Sequence, residues 1–502
     1  SNYPTWNPLD FDPGQGTPTT VRALTDGNLN LAYAATTWAG YRSTMAATAG
    51  KWYVEMTCTA GGGGYNTTLD ALPTSQARSL ISAISVAPTA GSDVLAIALN
   101  LDAGTWTTYR NNVQVATGST TAGAEYCFRV TAGNGVNTFT NFGQRPFTYT
   151  PPTGYKALNT FNLPTPTILK GNQYFDGTTY TGDGTNPQVI VNSGNFAPDL
   201  VWTKNRSASG NNFLADIIRG GGNILLSDTT AAEVGIGGIT SLNSNGFNVN
   251  GNQNTNTVTY IGWQWRAGGS PSINNSGSIT SNVSVNQSSG FSIATFTAPA
   301  SGSATVGHGL GATPALIIVK ARSTTGSWAT WHKSLASTTD SYVNLNQVTA
   351  AGSSAALWGT GPTSTVIGLG TGSYIANATS VAYCWAEVAG YSKFGKYTGD
   401  GSADGPFVYC GFRPRFILIK DITAGTTNWN ILDTARDSYN QVVKSLAPNV
   451  YGAESTYTSS YGIDVLSNGF KIRLAGSPIN TSSDTHIFAA FAENPFNISR
   501  AR

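Results

Sequence analysis

Three times in this chain a proline is followed six residues later by a lysine, across five residues rich in apolar side chains. Pro198 leads to Lys204 in PDLVWTK, Pro314 to Lys320 in PALIIVK, and Pro414 to Lys420 in PRFILIK. A run this short and this apolar reads as a buried strand. The proline suits a strand's first residue, where its missing donor costs little. The lysine is expected to bring the chain back to water at the strand's end.

The strand is one landmark in a longer series. Before it stands a turn entered from an aromatic: YTGDG at 180–184, YTGDG again at 397–401, and the degenerate FTAPASG at 296–302. After each lysine an aromatic, Phe213, Trp328 or Trp429, opens another apolar segment. SNGF follows at 244–247 and 467–470, and WQWRAG at 263–268, WAEVAG at 385–390 and FAENPF at 491–496 close the units. The order holds three times while the spacing varies only where Ser, Gly and Asn accumulate. That is the signature of three copies of one β domain with different loops. The expected boundaries are 171–268, 291–390 and 391–502 for the three repeats, with a Gly/Ser/Asn-rich linker at 269–290. The second and third repeats meet with almost no linker, so they are expected to dock directly.

Residues 1–149 lack these landmarks and read as a separate β domain: GKWYVEMTC at 50–58 alternates apolar with polar residues, and DVLAIALNLDAGTWTTYRNN at 93–112 reads as strand, turn, strand. The proline-rich segment 150–170 is expected to be an extended, semi-rigid connector.

At 502 residues the chain exceeds one hydrophobic core. Only 10% of it is charged, so its polar surface must be built from Ser, Thr, Asn, Gln and Gly. With 58 glycines and no long helical period, the fold class is all-β, as tandem antiparallel β-sandwich domains. The net charge of +2 and the lack of a basic run argue against nucleic acid as a partner. Apolar runs such as PALIIV and RFILI fall far short of the roughly 20 residues that span a bilayer, so no membrane insertion is expected. The chain opens at SNYPTWNPLD without an initiator Met, a signal peptide or an anchoring segment, so the natural start is expected to have been removed or omitted. Cys58, Cys127, Cys384 and Cys410 form no CxxC pair and read as small buried side chains of a protein made in a reducing compartment.

The N-terminal residues resemble the SPRY and concanavalin-like β-sandwich modules found in bacteriophage tail proteins. WNPLD at 6–10, LTDGNLNL at 24–31, GKWYVEM at 50–56, LNLDAGTWTTYRNNVQV at 99–115 and the stretch 141–168 carry the likeness. The three later copies resemble β modules that recur at the C-terminal ends of phage fibre and spike proteins, most of all in YTGDGSADGPFVYCGFRPRFILIKD, DVLSNGFKIR and HIFAAFAENPF. The resemblance implies a virion protein on the external surface of a phage tail, with other tail or virion proteins as partners.

No catalytic residues, metal ligands or cofactors are expected. The three histidines, His308, His332 and His486, lack ligand spacing. No GxSxG elbow is present, and most acidic residues are expected at turns, where an Asp before Gly is explained by turn geometry. Asp176 and Asp183 lack the spaced oxygen ladder of a calcium loop. Binding is the more natural use of such a surface, since carbohydrate recognition joins aromatic faces to neutral hydrogen-bonding groups. NVYGAESTYTSSYG at 449–462 places Tyr451, Tyr457 and Tyr461 among small polar residues, and SSAALWGTGPTST at 353–365 is expected to expose Trp358. The competing reading has these rings anchor their own loops or face a neighbouring subunit. The sequence therefore points to an adhesive tail fibre that presents loops to a host cell-surface glycan as a homotrimer, whose several copies would add avidity and cover strand edges. The alternatives are a capsid-decorating fibre and a glycan-degrading tail spike.

Overall fold

The computed structural model describes residues 2–12, 22–33, 39–60, 67–75, 82–133, 136–370, 375–456, 462–476 and 478–495. It is all-β, built of multiple antiparallel sheets, and the described residues include helix only as two single 3-10 turns, Gly171–Gln173 and Gly251–Gln253. The chain divides into two compact units, Ser1–Thr165 and Pro166–Arg502.

In the first unit a five-stranded sheet packs on a larger one in which Lys51–Ala60 is central, between Val94–Asn100 and Val136–Asn141. Trp6 and Phe128 of the first sheet both close on Phe142, which follows the last long strand of the second, at 5.1 and 6.2 Å between ring centroids. The expected connector does not stand free: Lys156–Ala157 pairs in parallel with Lys51–Ala60, and Leu158 is buried. This cover also buries Glu55, whose carboxylate accepts the backbone N–H groups of Thr148 at 2.7 Å and Tyr149 at 2.9 Å.

Each repeat of the second unit is built on the same four strands. In the first they are ordered Phe175–Thr181, Thr259–Trp265, Leu200–Asn205, Phe213–Asp216; in the second Phe291–Thr297, Thr379–Trp385, Leu316–Ala321, Ala329–His332; in the third Ser392–Thr398, Thr485–Pro495, Phe412–Asp421, Asn430–Asp433. The registers coincide. Leu200 pairs Trp265, Leu316 pairs Trp385 and Phe416 pairs Phe491, which makes Lys204, Lys320 and Lys420 equivalent positions. A smaller sheet covers the outer face of each, as Gln188–Val191, Gly246–Val249 and Ile239–Asn243 do in the first repeat. Residues 269–290 are not loose: Ser272–Asn274 and Ser281–Asn286 extend the second repeat's sheet.

The three repeats share one core. Trp265 meets Trp385 at 6.0 Å and Phe491 at 5.7 Å, so each repeat contributes its equivalent ring to one cluster. Separate sandwich cores remain on the outer faces of the first and second repeats. Phe213 belongs to the first of these, because it occupies the register of Ala329 and Asn430. The true counterpart of Trp328 and Trp429 is Asn212.

The lysines do not return to water. Lys204, Lys320 and Lys420 are each 0% exposed, and each ammonium donates to a backbone carbonyl of another repeat: Lys204 to Val450 at 2.8 Å, Lys320 to Thr230 at 3.3 Å, Lys420 to Val348 at 3.1 Å. The donations run from first to third, second to first and third to second, so the repeats close into a ring. Burial pushes all three pKa values down to about 8. A buried ammonium is tolerated because carbonyl oxygens surround it, three of them around Lys420.

The repeated turn motifs have structural causes. A Cβ at Gly246 would collide with the carbonyl oxygen of Ile190, and one at Gly469 with that of Val408, so SNGF needs glycine where two outer strands cross closely. In YTGDG the aspartate caps its own turn: Asp183 Oδ1 accepts Thr185 N at 2.8 Å and Asp400 Oδ1 accepts Ser402 N at 2.9 Å. Asn254 and Asn480 then clasp these turns by donating to the same oxygens, at 3.0 and 3.1 Å.

Candidate binding surface

Of the rings expected to meet a ligand, Trp358 lies elsewhere. It is 2% exposed in the outer core of the second repeat, and its indole N–H donates to Ser341 O at 3.0 Å. The Gly/Ser setting that suggested exposure is a tight turn folded over the ring, with Gly361 N donating back to Trp358 O. Its hydrogen bond is satisfied internally and its face is packed, so it is an anchor for its own loop. Tyr457 and Tyr461 lie outside the described residues.

Tyr451 is 57% exposed. Its side chain projects from backbone that the first repeat holds on both sides. Tyr451 O accepts Gly210 N at 2.7 Å, Val450 O accepts the Lys204 ammonium, and Glu454 N donates to Arg206 O at 2.9 Å. Arg206 also forks onto the Glu454 carboxylate at 2.9 and 3.1 Å. An exposed ring on a fixed backbone loses little conformational freedom on binding, which favours its use as a contact.

Tyr439, 87% exposed, was not singled out from sequence. It stands in DSYNQ, where neither glycine nor a second aromatic marks the loop. Its backbone is held as well: Asp437 Oδ2 accepts Val443 N at 2.8 Å and Lys444 N at 2.7 Å, and the Asn440 amide exchanges bonds with Val465 N and O at 2.8 and 3.0 Å. Among the described residues of the second unit, Tyr439 and Tyr451 are the exposed large aromatics, and both belong to the third repeat.

The titratable groups have internal work. His308 and His332 each accept a backbone N–H at Nδ1, from Leu310 and Ser334 at 3.1 Å, which assigns the proton to Nε2. His486 is buried, stacked on Tyr397 at 5.0 Å and 7°, and its Nε2 lies 3.7 Å from Asp421. Burial lowers the pKa of all three histidines. Asp484, its pKa raised by burial and by the adjoining Asp421 charge, makes a pair of close carboxylates with Asp421. Asp421 is 0% exposed and accepts Thr423 N and Ala424 N, so it caps a turn. Asp176 is engaged by Arg415 at 2.8 Å. Among the described residues no group of three or more His, Cys, Asp or Glu is placed to hold a metal ion, and no helix is long and apolar enough to cross a membrane.

Comparison with solved structures finds weak similarity to SPRY domains over part of the chain. The TRIM65 PSpry domain matches with 11% identity over 28% of this chain and 90% of its own, at a TM-score of 0.22. The SPRY domain of human HERC1 matches with 11% identity over 28% of this chain and 99% of its own, at 0.23. No curated protein matches the chain. Residues 170–495, well over half of the sequence, match the model of a family described as a domain of unknown function (DUF7483), and the chain belongs to that family.

Proposed function

We propose that this chain is a structural and adhesive virion protein, a phage tail fibre or receptor-binding protein whose third repeat presents tyrosine-bearing loops to a bacterial surface glycan. One observation carries the reading: the Tyr451 ring is exposed while its backbone is held by the Lys204 and Gly210 bonds and its flanking charges are neutralised in the Arg206–Glu454 pair. A ring so held offers a flat apolar face among neutral donors and acceptors, which suits the faces and hydroxyls of a sugar. The motif resemblance to phage fibre modules and the 10% charge content support the same reading. Other virion proteins are the proposed partners. The homotrimer in this proposal rests on avidity.

The test is binding of the purified chain to intact host cells and to their isolated surface polysaccharide, with reducing-sugar release followed in the same tubes. Saturable binding without release, weakened about tenfold or more by Tyr451→Ala at unchanged stability, is the expected result. Release of sugar would make the chain a glycan-degrading spike. Absence of binding by the folded chain would leave a purely structural role.

A further inference from the structure

The three seams of the ring share one latch, and the set of side chains beside it differs in one of them. Where the second repeat docks on the first, Tyr383 donates to Asp216 at 2.8 Å, Arg219 bonds Asp216 and reaches Glu233 at 3.1 Å, and Arg322 pairs with Glu233 at 2.8 Å. Where the first docks on the third, Trp263 donates to Asp433 at 3.1 Å, Arg436 bonds Asp433 at 2.7 Å and Glu454 at 3.1 Å, and Arg206 pairs with Glu454. These are the same positions in the fold, filled by the same chemistry. Where the third docks on the second, every one of them changes. Ala489 replaces the Trp or Tyr, His332 the aspartate, Leu335 the first arginine, Ala351 the glutamate and Ile422 the second arginine. The backbone bond beneath is kept in all three seams: Glu233 N to Arg322 O at 2.8 Å, Glu454 N to Arg206 O at 2.9 Å, Ala351 N to Ile422 O at 3.0 Å. In the apolar seam His332 Nε2 donates to Phe488 O at 3.1 Å, in the space left by the small Ala489.

We infer that these side chains form a pairing code, in which each repeat's lysine edge accepts only the carbonyl edge that carries the matching set, and that the apolar seam fixes the order in which the ring closes. The lysine latch alone cannot specify order, because a carbonyl is available at every seam. The side chains can. Docking the third repeat's edge, with Ala489 and Ile422, onto Asp216, Arg219 and Glu233 of the first would bury a carboxylate and a guanidinium short of their outer partners. Docking an arginine edge onto Leu335 and Ala351 would bury that arginine against apolar groups. A mispaired apolar seam is therefore rejected by desolvation: the third repeat's edge fits the second repeat alone, and closing the ring then leaves one partner for each of the two arginine edges.

The test is a two-step exchange at the seam between the first and third repeats, in the full chain. W263A with R206I gives the first repeat the lysine edge of the third. Amide exchange across 446–456 should then become about a hundredfold faster, since that loop is held through Arg206, Lys204 and Gly210. Adding D433H, R436L and E454A rebuilds the apolar set opposite it and should recover most of the protection. Recovery on adding three further core changes is what a matched pair demands and what independent sites would not give. Unchanged exchange in the double variant would overturn the inference, and so would a five-fold variant that loses at least as much as its parts combined, including one that fails to fold.

Discussion

His332 gives the seam between the second and third repeats a calculable response to acid. Its ring is fully buried, accepts Ser334 N–H at Nδ1 and donates from Nε2 to Phe488 O, so it is held neutral with both nitrogens engaged. Burial pushes its pKa from the ordinary 6.5 down to about 4; the Phe488 bond opposes that shift, the nearby Lys333 charge adds to it and the Glu387 charge opposes it. Between those values the unfolded chain binds the proton and the folded chain does not. Stability is therefore fully present above about pH 6.5, falls as pH falls, and stops changing on this account below about pH 4. The whole window corresponds to about 3 kcal/mol from this one ring. Carboxylates titrate nearby, so the assay is differential: urea midpoints of the second unit, followed by tryptophan fluorescence, for the native chain and His332→Leu at a series of pH values. The variant is expected to be less stable at neutral pH, having lost the Phe488 bond, and to lose less on acidification. The gap between the two should narrow by about 2–3 kcal/mol between pH 7 and 4.5. A gap that is constant or widens with acid would refute the neutral buried tautomer.

Three further expectations come from other parts of the fold. Lys204→Met keeps the aliphatic stem but removes the donor to Gly210 O at 2.7 Å and Val450 O at 2.8 Å; chemical denaturation should show a loss of about 2–4 kcal/mol, and an unchanged midpoint would refute the latch. Trp358→Ala should cost about 3–5 kcal/mol in the same assay through the cavity it leaves, whereas a surface ligand contact would cost little stability. Cys58, Cys127 and Cys384, their thiol pKa values pushed up to about 12 by burial, and the buried Cys410 should all resist a thiol reagent until the chain is unfolded.

The sequence determined which segments are strands and that three of them are equivalent, because a buried strand needs a short apolar run and a tight turn needs particular residues. PRFILIK, SNGF and YTGDG each mark a local requirement, and the local chain is where such requirements are written. The exposure of Tyr451 was legible for the same reason, in a loop of small polar residues. The fate of the lysines was not. A lysine closing an apolar run ordinarily reaches water, and only the approach of another repeat, some 246 residues away for Lys204 and Val450, supplies the carbonyl that lets it stay buried. Trp358 misled in the opposite direction, since a glycine-rich loop can fold over a ring as readily as display it, and the difference lies in what packs beneath. Asn212 in place of a tryptophan, and His332 in place of an aspartate, carry no meaning along the chain. They acquire it at the seams, where desolvation makes each buried polar group depend on a partner from a different repeat, so the tertiary structure alone decides how the three copies close on one another.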